Sequence, residues 1–202
     1  MTKTDNCKLN TWVGSDPVDV TQINENFLAL DQLLTALRDT QRSLYWTTAG
    51  LAVRSLFAES GSAYLDGFAA AACSASSDIN NNTITYSPLA TGGSSTTASL
   101  TLKPGCREAL LVIYVSGGNP SASLKNGSTT TSMTRQSSNS DTLSRARPKL
   151  TSMDYRENEV NVKLNCTQMR FRCEIPAGAS TVSAVIALSS GCKLYGYALT
   201  AM

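Results

Sequence analysis

The sequence predicts two kinds of structure in one chain: an N-terminal amphipathic helix of the coiled-coil type, followed by an all-β antiparallel sandwich. Residues 16 to 46 repeat apolar side chains every 3.5 residues, whereas residues 78 to 202 alternate apolar and polar side chains. The length of 202 residues allows one ordinary domain plus a shorter arm. We divide the chain into a docking arm (1–15), an oligomerisation helix (16–46), a connector (47–77) and a β-sandwich domain (78–202).

The helix is predicted from apolar residues at alternating three- and four-residue steps. Such steps fill positions a and d of a heptad, labelled a to g, and keep one face of the helix toward a partner helix. We call these positions the seam: Val20, Ile23, Phe27, Leu30, Leu34, Leu37, Gln41 and Leu44. The seam predicts self-association. The alternative is that it packs on the chain's own globular part, as apolar helix faces usually do.

Two capping patterns mark the start of this helix. Asp16 before Pro17 suits an N-cap followed by proline, and Asp19 with Gln22 resembles a capping box. From Pro17 to Trp46 the helix would be about 45 Å long, comparable to or longer than the diameter of a small domain. The seam residues match no pure dimer or trimer pattern, so the number of copies stays open on this basis.

Segment 47–77 gives a weaker pattern. Val53 and Phe57 are helix-spaced, but Gly50, Gly61 and Gly67 interrupt the spacing. We predict a connector with a short helix at most.

The strands of the sandwich are predicted from period-two alternation. Residues 160–166 and 169–175 predict two half-buried strands, with a tight turn near Thr167 and Gln168. The run ALLVIYV (109–115) is apolar on both faces and predicts a central strand. Asn126-Gly127 predicts a hairpin turn. With further short runs, about eight strands are expected, which favours a β-sandwich.

A polar stretch from residue 127 to 149 is longer than the loops of compact domains. Its basic residues are Arg135, Arg145, Arg147 and Lys149. Together with many hydroxyl groups they predict a ligand-contact loop for sugars or acidic polymers. The alternative is a variable loop that binds nothing.

Composition argues against several classes of protein. Without any histidine the chain lacks the usual base of Ser-His-Asp and Cys-His enzymes, so no catalytic site is predicted. A net charge of +2 is too small for a dedicated nucleic-acid binder. No segment approaches the roughly 20 apolar residues of a membrane span, and no cofactor motif occurs. Asp78, Asn80 and Asn82 repeat the opening of a calcium loop, but Thr83 and Leu89 stand where its glycine and glutamate belong, so no metal is predicted. The six cysteines are interpreted as mostly reduced and buried.

The stretch LNTWVGSDPVDVTQINENFLALDQLL (9–34) resembles the N-terminal part of bacteriophage tail-fibre and baseplate proteins. It shares a tryptophan, a Pro-Val turn and an INxNF-type helix start with them. Residues 64–68 and 78–80 are also similar to the lead-in to the C-terminal sandwich of small tail proteins. This resemblance implies a homotrimer, an arm around Trp12 and Val13 that docks on other virion proteins, and a jelly-roll or galactose-binding-like sandwich that contacts host surface glycan.

These observations predict a virion structural protein: a trimeric fibre or baseplate component that displays its sandwich for host attachment. It would be assembled in the cytoplasm of the bacterial host. One alternative is a stand-alone carbohydrate-binding sandwich, and another is a head or collar fibre or decoration protein. A glycan depolymerase would need a carboxylate pair that no motif selects.

Overall fold

A computed structural model describes residues 2–4, 6–12, 17, 19–59, 68–78, 83–148 and 159–202. The chain divides into two compact units, Met1–Leu44 and Tyr45–Met202. No helix in the described ranges is long and apolar enough to cross a membrane.

Unit 1 contains a small hairpin and the first part of the helix. Strands β1 (Thr2–Lys3) and β2 (Asn10–Thr11) pair antiparallel, and helix α1 spans Val20–Glu59. Asp19 caps the helix, because its Oδ1 accepts a hydrogen bond of 2.9 Å from the Thr21 N–H. The predicted start within 16 to 19 is therefore confirmed at Asp19, and Asp16 lies outside the described residues.

The predicted helix end at residue 46 is wrong, because α1 continues to Glu59. Gly50 does not break the helix. A Cβ at this position would lie 3.3 Å from the Tyr114 hydroxyl, so glycine permits a close approach between helix and sheet. The predicted connector also contains two strands, β3 (Phe68–Ala72) and β4 (Ser74–Asp78). Tertiary packing of small residues outweighs their weak local pattern.

Unit 2 builds its sheets from the remaining strands. These are β5 (Thr83–Ser87), β6 (Ala90–Thr91), β7 (Ser95–Thr101), β8 (Glu108–Ser116), β9 (Ser121–Asn126), β10 (Thr129–Ser132), β11 (Thr134–Pro148), β12 (Glu159–Glu174), β13 (Thr181–Ala187) and β14 (Lys193–Ala201). One sheet has the order β11-β12-β8-β14-β3, with β6 also paired to β14. A second has the order β10-β9-β13-β7, and β4 pairs with β5.

The two larger sheets share one apolar core. Leu111 and Ile113 of β8 join Leu124 of β9 and Ile186 of β13 in a single buried cluster. Strand β8 is buried on both faces, which confirms the predicted central strand. The predicted hairpin is confirmed, but its turn lies at Gly127-Ser128 rather than at Asn126-Gly127, because Asn126 pairs with Thr129 and Gly127 has φ +58°. The chain therefore has an N-terminal helix followed by antiparallel sheets, as predicted.

The predicted turn at Thr167 and Gln168 is wrong, because β12 runs through it without interruption. Leu164 and Cys166 face the cluster that contains the helix, whereas Met169 faces the core between the sheets. Even- and odd-numbered residues point to opposite faces throughout one strand. The apolar residues shift from even to odd positions along β12 because a different face of the strand becomes covered. The strand itself does not turn.

Helix residues after Leu44 form a third layer on the larger sheet. Trp46, Ala49, Val53, Leu56 and Phe57 are all at most 6% exposed. They share a cluster with the side chains on the outer face of β8, which are Leu110, Val112 and Tyr114. This part of α1 therefore packs on the chain's own sheet, as the alternative interpretation of the helix expected.

Candidate functional site

The seam of unit 1 is an apolar surface that is largely exposed in the described part of the chain. Ile23 is partly buried, and the other apolar seam residues are between 38% and 68% exposed. Gln41, the polar seam position, is exposed as well. In proteins most helical stability comes from packing of an apolar face, and large exposed apolar patches mark interaction surfaces. The seam is therefore the candidate functional site.

The N-terminal arm occupies a different face of the helix. The Asn26 side chain accepts a 2.6 Å hydrogen bond from the Asn10 N–H and donates one of 2.9 Å to the Asn10 carbonyl. The indole N–H of Trp12 donates to Gln22 Oε1 at 3.2 Å. Gln22 and Asn26 hold heptad positions c and g, so these bonds leave positions a and d open. Val13 lies outside the described residues.

The heptad count continues into unit 2 with Thr48 at position a and Leu51 at position d. Leu51 is 60% exposed and Thr48 is exposed as well. The buried residues of the same stretch, such as Val53 and Leu56, fall at positions f and b. One face of this stretch thus packs on the sheet, while Thr48 and Leu51 at positions a and d are exposed to solvent.

A polar cluster holds the part of α1 after Leu44 on the larger sheet. Arg54 Nη2 contacts both carboxylate oxygens of Asp141 at 2.6 Å, and the Gln168 amide donates to the Tyr114 hydroxyl at 2.7 Å. Arg170 lies over the Trp46 ring at 5.9 Å. Burial raises the pKa of Tyr114, so its phenol stays neutral. These contacts orient the helix on the sheet.

The predicted ligand-contact loop is wrong as a loop, because β10 and β11 occupy most of residues 129–148. Threonine favours strands, and a polar strand with charges suits the sheet edge that β11 forms. Arg135 pairs with Phe171 at one end of β11, whereas Arg145 and Arg147 pair with β12 at the other end. Ten extended residues separate them by about 30 Å. Lys149 lies outside the described residues.

Three exposed leucines of the helix were missed in the sequence, and two of them bear on the seam. Leu33 at position g is 44% exposed and widens the seam, and Leu51 extends it. Leu28 at position b is 60% exposed and lies off the seam. The heptad count would have identified Leu51 if the helix had not been ended at residue 46.

The other chemistry-bearing groups form no further centre in the described part of the chain. No three side chains from His, Cys, Asp or Glu are grouped as metal ligands there. The thiols of Cys73, Cys166, Cys173 and Cys192 are free and buried, Cys106 is partly exposed and Cys7 is exposed.

Comparison with known proteins adds no relative. No family model, curated protein or solved structure matches this chain.

Proposed function

We propose that this protein is a homo-oligomeric structural component of a bacteriophage particle, assembled through the helix seam. Its arm docks on other virion proteins and its sheet domain is displayed for attachment to a host surface. The observation that supports this most is the apolar seam, whose leucines at 34, 37 and 44 are each more than 60% exposed. The resemblance of residues 9–34 to tail-fibre and baseplate proteins supplies the setting.

The seam fits other copies of the same chain. Heptad spacing is the geometry in which helices of equal sequence interlock their a and d side chains. Gln41 is the polar layer among the first eight seam positions, and in a parallel, in-register oligomer it meets Gln41 of each neighbour. A one-heptad shift places Gln41 of one copy opposite Leu34 of its neighbour, which costs about 1–3 kcal/mol for each unsatisfied amide. The layer therefore favours one register.

The proposal favours three copies, which the resemblance implies. It also gives the sheet domain a jelly-roll or galactose-binding-like type, supported by two antiparallel sheets around one core. A head or collar fibre would use the same seam, so this alternative differs only in the position of the protein on the particle. In a stand-alone carbohydrate-binding module, the seam would have no partner in solution.

Cysteine crosslinking tests the proposal on the full chain. Leu44→Cys and Leu51→Cys place thiols at two d positions, in a Cys7→Ser background that removes the exposed native thiol. In a parallel, in-register oligomer, equivalent d residues approach closely enough for a disulfide to form under mild oxidation. Leu28→Cys, at position b, is the matched control and should remain uncrosslinked. Equal crosslinking at all three positions, or none at any, would contradict the proposal.

A further inference from the structure

Two loops at one end of the sheet domain enclose a cleft of about 430 Å³. One loop joins β7 to β8 (102–107) and the other joins β12 to β13 (175–180). Their bases are tied by hydrogen bonds from the Leu102 N–H to the Ser180 carbonyl and from the Ile175 N–H to the Arg107 carbonyl, both 2.8 Å. The volume lies within the range of small-molecule sites, and the paired bases hold the cleft open before any ligand arrives.

The cleft combines an apolar floor with a cationic rim. Ile175 is buried, and Leu102 and Ala179 pack beside it on the core between the sheets. Lys103 and Arg107 line the cleft and are exposed, and neither has an ion-pair partner among the residues that the structure describes. Among the described residues, no Asp or Glu side chain lines the cleft. The nearby Glu108 is buried and bound to Arg172 at 3.2 Å.

An adjoining cleft of about 220 Å³ shares Leu102, Lys103 and Cys106 with the first and adds two aromatic rings, Tyr45 and Phe68. Both rings are partly buried on the outer face of the larger sheet. An aromatic face carries negative charge density that attracts polarised C–H groups. The two clefts together therefore present apolar surfaces for sugar rings on either side of one ammonium group.

We propose that this pair of clefts binds an acidic oligosaccharide, with its carboxylate held by Arg107 and Lys103. The ring C–H face of one sugar lies on the floor formed by Ile175 and Ala179, and a neighbouring sugar reaches the rings of Tyr45 and Phe68. A guanidinium group suits this role because its paired N–H donors match the two oxygens of a carboxylate. The site uses residues that the basic stretch 127–149 does not contain.

The test uses oligogalacturonate, with a neutral galacto-oligosaccharide of equal length and inorganic phosphate as comparison probes. Iodoacetamide labelling of Cys106 is followed by mass spectrometry, and the exposed Cys7 of the same molecule is the internal control. Oligogalacturonate should slow labelling of Cys106 but not of Cys7, with saturation. The Arg107→Gln and Lys103→Gln variants should each bind at least about tenfold more weakly, as expected for loss of a charge-assisted hydrogen bond.

Lys125→Gln is the matched control, because Lys125 is an exposed lysine of β9 outside both clefts. It should bind like the parent chain. Isothermal titration calorimetry measures the same affinities without labelling. Absence of saturable binding would overturn the proposal, as would equal protection by the neutral sugar or by phosphate alone. Equal weakening of binding by Lys125→Gln would show that only the net charge of the chain matters, and it would also overturn the proposal. None of these outcomes bears on seam association, which crosslinking measures separately.

Discussion

Replacing Leu37 by alanine removes one d-position side chain from the seam and adds no charge. Leu37 is 65% exposed. About two thirds of its surface can therefore be buried only when another copy of the chain packs against it. Leucine-to-alanine changes in packed sites cost about 2–5 kcal/mol, and the lower value suits a residue that is already partly covered. A cost of about 2 kcal/mol per copy gives about 6 kcal/mol for a trimer, or about four orders of magnitude in its association constant.

Sedimentation equilibrium measures this change in the full chain. In a monomer–trimer equilibrium the midpoint concentration follows the square root of the constant, so it rises about 100-fold for Leu37→Ala. Leu28→Ala is the matched control, because Leu28 is 60% exposed but lies at position b. It should leave the midpoint unchanged. An unchanged midpoint for Leu37→Ala, or an equal shift for Leu28→Ala, would refute the reasoning.

Three further predictions concern the arm, the helix layer and a buried thiol. Asn26→Ala removes both hydrogen bonds to the backbone of Asn10, so hydrogen exchange at the Asn10 amide should accelerate while the oligomer persists. Gly196→Ala places a Cβ 2.5 Å from Val53 Cγ1 and should lower the free energy of unfolding, measured in urea, by about 1–3 kcal/mol. The double variant Gly196→Ala, Val53→Ala should lose less of this free energy than the two single variants together. Burial raises the pKa of Cys166 from 9.0 to about 11. Stability should therefore fall as the pH rises between these values, because the thiol ionises first in the unfolded chain. In thermal unfolding, the melting temperature of Cys166→Ala should fall less over the same pH range.

The sequence predicted the fold class because two periodicities dominate it. Heptad spacing identified the helix, and the apolar run of β8 and the Asn-Gly turn identified a strand and a hairpin that the structure contains. The helix end was missed because the pattern changes there from positions a and d to positions b, c and f. Val53 and Leu56 serve the chain's own sheet, and a single-seam pattern does not represent a helix with two faces in use.

Long-range pairing explains the other errors. The alternation of β12 changes phase because the helix covers one face of its first half and the second sheet covers the other face of its second half. The basic stretch was interpreted as a loop because serine and threonine are common in loops, whereas its pairing with β12 makes it an edge strand. The cleft beside Arg107 comes from two loops about 70 residues apart, so no local pattern predicts it.

The mass of the full-length protein in solution tests self-association most directly. Light scattering at micromolar concentration should give about 64 kDa, three times the chain mass of 21.4 kDa. A mass of two chains would keep the seam as an interface and overturn the trimer. A mass of 21.4 kDa would show that the exposed seam has no partner in solution, and would contradict the account.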